Sequence, residues 1–211
     1  MLDALWKGIT LGLLLSISVG PVIFSIIKQS INNGIKGGFA FIAGVSSSDA
    51  ALVVVSNFFT ELFSSFQDLR EEIGIVGSIF LITVGIYFIF FKKVKVNEQG
   101  IQIIKIRKRD YLKLFLGGFF MNILNPAIII FWLTTSTAFI DHTLHQRILI
   151  FSIALVLVLA GDIAKVVLAG KLRTRLTPKN IHLINRLNGI ILVGFGIVLL
   201  SGLLLYRGRL G

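Results

Sequence analysis

The 211 residues are 55% hydrophobic and only 15% charged, with a mean hydropathy of +0.90. A soluble domain of this length has too small an interior for that much apolar side chain, which leaves the lipid bilayer as the solvent. Cysteine is absent, which excludes disulfides, zinc–thiolate sites and thiol redox chemistry; the net charge of +11 has to be explained by where the basic residues fall.

A helix crossing ~30 Å of hydrocarbon at ~1.5 Å per residue needs about 20 apolar residues. Six segments reach that length and predict an all-α polytopic membrane protein with a single transmembrane domain over 1–211. The first, Ala4–Ile27, has Lys7 near its start and no small-residue cleavage pattern, as expected of an uncleaved membrane helix and not of a signal peptide. The second, Phe39–Phe63, carries Asp49. The third, Ile73–Phe91, includes "IGIVGSIFLITVGIYFIFF" and no charge at all. The fourth, Leu112–Ile140, contains Asn122 and Asn125; the fifth, Ile148–Ala169, contains Asp162 and Lys165; the sixth is Gly189–Tyr206.

The loops after the first, third and fifth segments (28–36, 92–113 and 171–186) hold fifteen lysines and arginines, against five on the other side: Lys7, Arg70, Arg147, Arg207 and Arg209. By the positive-inside rule the richer side is cytoplasmic and both termini lie outside. The basic surplus is thus a topology signal, and no nucleic-acid partner is expected. "KIRKRD" (Lys105–Asp110) reads as a cytoplasmic anchor at the bilayer surface.

Two proline stretches align. They are "SVGPVIFSII" (Ser18–Ile27) and "NILNPAIIIF" (Asn122–Phe131): in the first half Gly12 lies nine residues before Pro21, and in the second Gly117 lies nine before Pro126. Gly20–Pro21 thereby corresponds to Asn125–Pro126. Each is followed by a helix with one intramembrane aspartate, in "AGVSSSDA" and "LAGDIAK", and then by a glycine-bearing apolar helix ending in tyrosine. Three helices per half is odd, so the second copy enters the membrane from the opposite side. The expected architecture is two inverted repeats, about 4–91 and about 112–206, joined by a basic cytoplasmic loop of about 92–111. Paired interrupted helices in inverted repeats are a signature of secondary transporters, with the site at the repeat interface.

Proline in a helix interior removes a hydrogen bond to the carbonyl four residues back, here that of Ile17 or Asn122. Such a carbonyl is tolerated at membrane depth only when buried in protein or lining a wet cavity. The half-helix N-terminus beyond the break turns its N–H groups and positive dipole end towards that cavity, which suits a carboxylate. The plainer alternative is a kink repaired by Ser18, Asn122 or a water.

Asp49 and Asp162 cost ~2.5–3.5 kcal/mol each at the centre of a membrane helix, so both are expected to face protein or water. Either suits proton coupling or a substrate ammonium. Against this, Asp49 has the Ser46–Ser48 run beside it, and Lys165 is placed to pair with Asp162. Asn122 and Asn125 offer both donors and acceptors, for a solute or for helix glue. Gly12, Gly37, Gly38, Gly44, Gly117 and Gly118 read as close-packing positions; Trp6, Trp132 and Tyr206 read as interfacial or packing residues. No phosphate-loop motif occurs, which argues against ATP hydrolysis by this chain. His142, His145 and His182 fall in predicted loops, away from any intramembrane serine. No enzymatic activity, cofactor or metal is expected.

With these residues in place, the chain resembles the LysE/RhtB family of amino-acid exporters over nearly its whole length. The resemblance rests on "GLLLSISVGPVIFSIIKQSINNGIKGGFAFIAGVSSSDA" (Gly12–Ala50), "GGFFMNILNPAIIIFW" (Gly117–Trp132) and "INRLNGIILVGFGIVLL" (Ile184–Leu200). It implies an inner-membrane exporter of amino acids or related metabolites driven by proton antiport, with functional weight on Gly20, Pro21, Asp49, Asn125 and Pro126. Val19 stands where members often have a second proline, and Ala127 where they often have lysine. Together the two lines of argument give a candidate pathway of Ser18, Gly20, Pro21, Asp49, Asn122, Asn125, Pro126 and Asp162, with the proton gradient as energy source. A homo-oligomer is compatible with the sequence. The rivals are a divalent-cation transporter with Asp49 and Asp162 as ligands, and a membrane scaffold whose polar residues only pack helices.

Overall fold

A computed structural model describes residues 1–18, 20–58, 70–91, 107–173 and 176–207. Among these, seven helices follow in order: α1 (Leu2–Ile17), α2 (Pro21–Phe58), α3 (Arg70–Phe90), α4 (Lys108–Ile123), α5 (Pro126–Ala138), α6 (Leu144–Arg173) and α7 (Pro178–Arg207). Three helices, α2, α6 and α7, are long and apolar enough to cross a bilayer on their own. A fourth span arises if α4 and α5, bent by 62° at their break, are taken together.

Both prolines stand at the first position of a helix, not inside one. The fixed φ of proline suits that position, and its missing N–H belongs to the turn whose N–H groups have no helical partner anyway. Before Pro21, Ser18 leaves the helix with ψ 126°, its N–H returning to the carbonyls of Leu14 and Leu15 at 3.0 and 3.2 Å. Before Pro126, Asn125 is the N-cap and its side chain accepts from the Ala127 N–H at 3.2 Å. The Asn122 carbonyl is not left free: it accepts from the Asn125 N–H at 3.0 Å. The expected first and fourth spans are therefore each two helices.

The expected loop at 28–38 is almost wholly helical. α2 runs through it with one interruption at Gly34, where φ 68° and ψ 179° lie in a region essentially reserved for glycine. The interruption leaves segments 21–33 and 35–58. Other expected loops also shorten: α6 begins at Leu144 and α7 at Pro178, so His145 and His182 are helical. Most of the basic loop, 92–106, and the end of the second segment, 59–63, lie outside the described residues.

The helices close up through glycine, as membrane helices do where apolar side chains gain nothing from leaving lipid. α2 meets α4 where a Cβ on Gly44 would collide with the Phe115 carbonyl and one on Gly118 with that of Phe41. α3 meets α7 at Gly85 and Gly189, each backing onto the carbonyl of the other. α1 lies along α6. The central core of Ile26, Phe41, Ile42, Val45, Leu81, Met121, Val166 and Leu192 draws on α2, α3, α4, α6 and α7. Outward faces remain apolar: Ile79, Ile130, Val156, Leu168 and Leu205 are all exposed. An exposed apolar surface of this kind is what a bilayer covers.

Candidate functional site

The breaks before Pro21 and Pro126 open onto one cavity of about 250 Å³, and every helix contributes to its wall. Ser18, Gly20, Pro21, Asp49, Asn122, Asn125 and Asp162 all line it. Pro126 does not; its ring packs near Gly77 of α3 instead. Gly20 leaves open space where a side chain would be. The remaining wall is mostly aliphatic, including Leu15, Val22, Ile23, Leu81, Val158 and Leu199. The volume lies just below the ~300–1,000 Å³ typical of pockets for drug-sized ligands, which suits a small solute.

Asp49, 3% exposed, is held by two donors that reach the same oxygen: Asn122 Nδ2 at 2.8 Å and Trp132 Nε1 at 2.9 Å from Oδ1. Among the described residues no donor reaches its Oδ2. Asn122, itself fully buried, also comes within 3.1 Å of Ser48 Oγ and 3.4 Å of the Val45 carbonyl. The asparagine thus joins the end of α4 to the second segment of α2, and the indole joins α5 to the same carboxylate. A buried carboxylate needs such partners, since leaving it without hydrogen bonds in an apolar interior is costly. Ser46 and Ser47 do not supply them; Ser47 bonds back to the Ala43 carbonyl.

Asp162 is paired. Lys165 Nζ lies 2.8 Å from its Oδ1, and Lys165 also lines the cavity. The i, i+3 spacing on α6 puts both on one helix face. Asn125 is committed to capping α5, so its side-chain oxygen already serves the backbone.

Sequence reasoning missed two residues. Trp132 was expected at an interface or in packing; it is instead fully buried and donates to Asp49. A buried indole N–H requires an acceptor, and this was the available signal. Lys28 was expected in a cytoplasmic loop; it is fully buried in α2 with its ammonium over the Phe88 ring. Trp6 is exposed on α1, whereas the side chain of Tyr206 lies outside the described residues. Among the described residues no group of three or more His, Asp or Glu side chains is placed to hold a metal ion.

An all-helical chain with an apolar exterior, broken helices and buried carboxylates around a small cavity defines a polytopic membrane protein of the transporter class. The chain belongs to the LysE type translocator family, whose profile matches residues 13–203. Members are transporters and not enzymes, and the protein is a multi-pass membrane protein. It is 26% identical over 194 residues to the "Putative amino acid efflux protein YcgF" of Bacillus subtilis (strain 168), covering 89% of this chain and 90% of that protein. No solved structure matches it.

Proposed function

We propose that the protein is a secondary active transporter of the inner (plasma) membrane, exporting amino acids or related small zwitterionic metabolites by proton antiport. The observation that carries this is the cavity at the two helix breaks, small, largely aliphatic, and furnished with Asp49 on a firm support. The name of the Bacillus subtilis relative agrees with the solute class. With Asp49, Asp162 and Lys165 ionised, the wall carries one more negative charge than positive. A zwitterion leaves that imbalance unchanged, and a proton on Asp49 removes it, which gives the coupling a physical basis.

The same reading takes the chain as one domain of six spans in two inverted halves, with both termini outside. α1 and the 21–33 segment make the first, broken span, as α4 and α5 make the fourth. The correspondence is supported by length: α1 and α4 have 16 residues each, and the 13 residues of α5 equal 21–33. Packing supports it too, because α1 lies on α6 as α4 lies on α2, and α3 lies on α7. The divalent-cation rival is disfavoured by Lys165, which already occupies the carboxylate a second ligand would need.

Exchange in proteoliposomes tests the proposal. Vesicles loaded with individual amino acids are expected to show counterflow for at least one. Asp49→Asn, which keeps an acceptor for Asn122 and Trp132, is expected to weaken exchange and to lose uphill accumulation driven by a pH gradient. Saturable divalent-cation flux without amino-acid exchange would instead establish the cation transporter. No flux of any solute, with normal assembly after both aspartates are neutralised, would establish a scaffold.

A further inference from the structure

We propose that Lys165 receives the carboxylate of the solute, that Asp162 holds its place until then, and that the solute is an amino acid with an aliphatic side chain. The inference rests on the exporter reading and deepens it by assigning the two ends of the zwitterion.

A carboxylate in this cavity needs donors, and one expected source is closed. Pro126 has no N–H, the Ala127 N–H is taken by Asn125 Oδ1, and the Ile128 N–H is taken by the Asn125 carbonyl at 3.0 Å. The N-terminus of α5 is therefore capped by its own chain and offers little to an anion. Among the described residues, Lys165 is the only cation that lines the cavity. Its side chain is 19% exposed while that of Asp162 is 5% exposed, so the ammonium is the more accessible partner of the pair. An ammonium has three donors and the 2.8 Å contact to Asp162 uses one. A solute carboxylate can therefore join it and compete with Asp162 for the same charge. The ammonium of the solute has a matching acceptor in the same cavity, because both donors to Asp49 reach Oδ1 and leave Oδ2 open among the described residues. The rest of the wall is mostly aliphatic, with Val22, Ile23, Leu81 and Val158 among its residues. A charged or strongly polar side chain would lose its hydration there without a partner.

The test is equilibrium binding to the purified full-length protein with L-leucine, L-lysine, L-glutamate, 3-methylbutylamine and 4-methylpentanoate. Wild type is expected to bind L-leucine about tenfold or more tightly than either analogue lacking one charged end, and more tightly than the two charged amino acids. Lys165→Gln is expected to lose about tenfold in affinity for L-leucine and nothing for 3-methylbutylamine, with Lys165→Arg recovering most of the loss. Asp162→Asn, which removes the competitor, is expected to bind L-leucine more tightly. Opposite signs in Lys165→Gln and Asp162→Asn mark a site; a purely structural pair would weaken binding in both, and that result overturns the assignment while leaving the exporter intact. The comparison of L-leucine with 3-methylbutylamine needs no variant, and equal affinity for the two also overturns it. Preference for L-lysine or L-glutamate overturns the aliphatic class alone. Absence of binding or exchange for every amino acid overturns the exporter reading and this inference with it.

Discussion

At the scale of single residues, Asp49 is defined by its neighbours. Its carboxylate sits among apolar helices and is kept there by an amide and an indole from residues 73 and 83 positions away. A hydrogen bond to a charged group contributes ~1.5–3 kcal/mol, and losing it leaves a buried acceptor short of partners. Trp132→Phe is accordingly expected to lower the thermal midpoint of the solubilised protein and its maximal exchange rate. The same change in an Asp49→Asn background is expected to cost less, and that coupling is the measurement that isolates the N–H from ring packing. Equal losses in both backgrounds would assign Trp132 to packing alone. The aspartate itself was legible in the sequence, because a charge in an apolar helix demands an explanation from one line of residues. Its partners were not, since nothing local says which distant N–H reaches it, and the serines beside it were the more obvious candidates. Lys28 shows the same limit: in a run with Gln29, Asn32 and Asn33 it looks solvated, yet Lys28 and Asn32 are buried and Asn32 pairs with Asn185 on α7.

At the scale of elements, a proline at a helix start behaves unlike one at a kink. In a helix interior, replacing proline by alanine restores a hydrogen bond and relieves a clash, a gain of ~3 kcal/mol. At the first helical position there is no such gain, and the substitution only frees the unfolded chain, a loss of ~0.4–1 kcal/mol. Pro126→Ala is therefore expected to destabilise slightly, and a rise in thermal midpoint would show that a strained kink had been relieved. Asn125→Ala removes the cap at Ala127 and is expected to cost ~0.5–2 kcal/mol. The positions of both breaks could be read from Gly-Pro and Asn-Pro, because the chemistry of proline is local. The helical course of 28–38 could not. Asn and Gly in that run are turn formers by propensity, but only Gly34 adopts a conformation that interrupts the helix. Tertiary burial of Lys28 and Asn32 overrides the rest.

At the scale of the whole molecule, the proposed inversion makes a claim that no single helix can test. Helix length and apolarity identify α2, α6 and α7 as spans without difficulty. They say less about α1, α3 and α5, which are short or broken and reach the required length only in combination or with their flanks. The repeat supplies the missing constraint, since corresponding positions of two halves related by inversion must lie on opposite faces of the membrane. Lys36 and Asp141 are such a pair, each a short way beyond the helix that follows its proline, and both are exposed. The absence of native cysteine makes single-cysteine labelling free of background. A membrane-impermeant maleimide applied to intact cells is expected to modify Asp141→Cys and to reach Lys36→Cys only after the membrane is opened. The reverse pattern would keep the inversion but place both termini in the cytoplasm, against the basic residues of 92–113. Labelling of both from the same side would make the halves parallel. Three helices per half would then be impossible, and the first broken pair could not cross the membrane as its counterpart does.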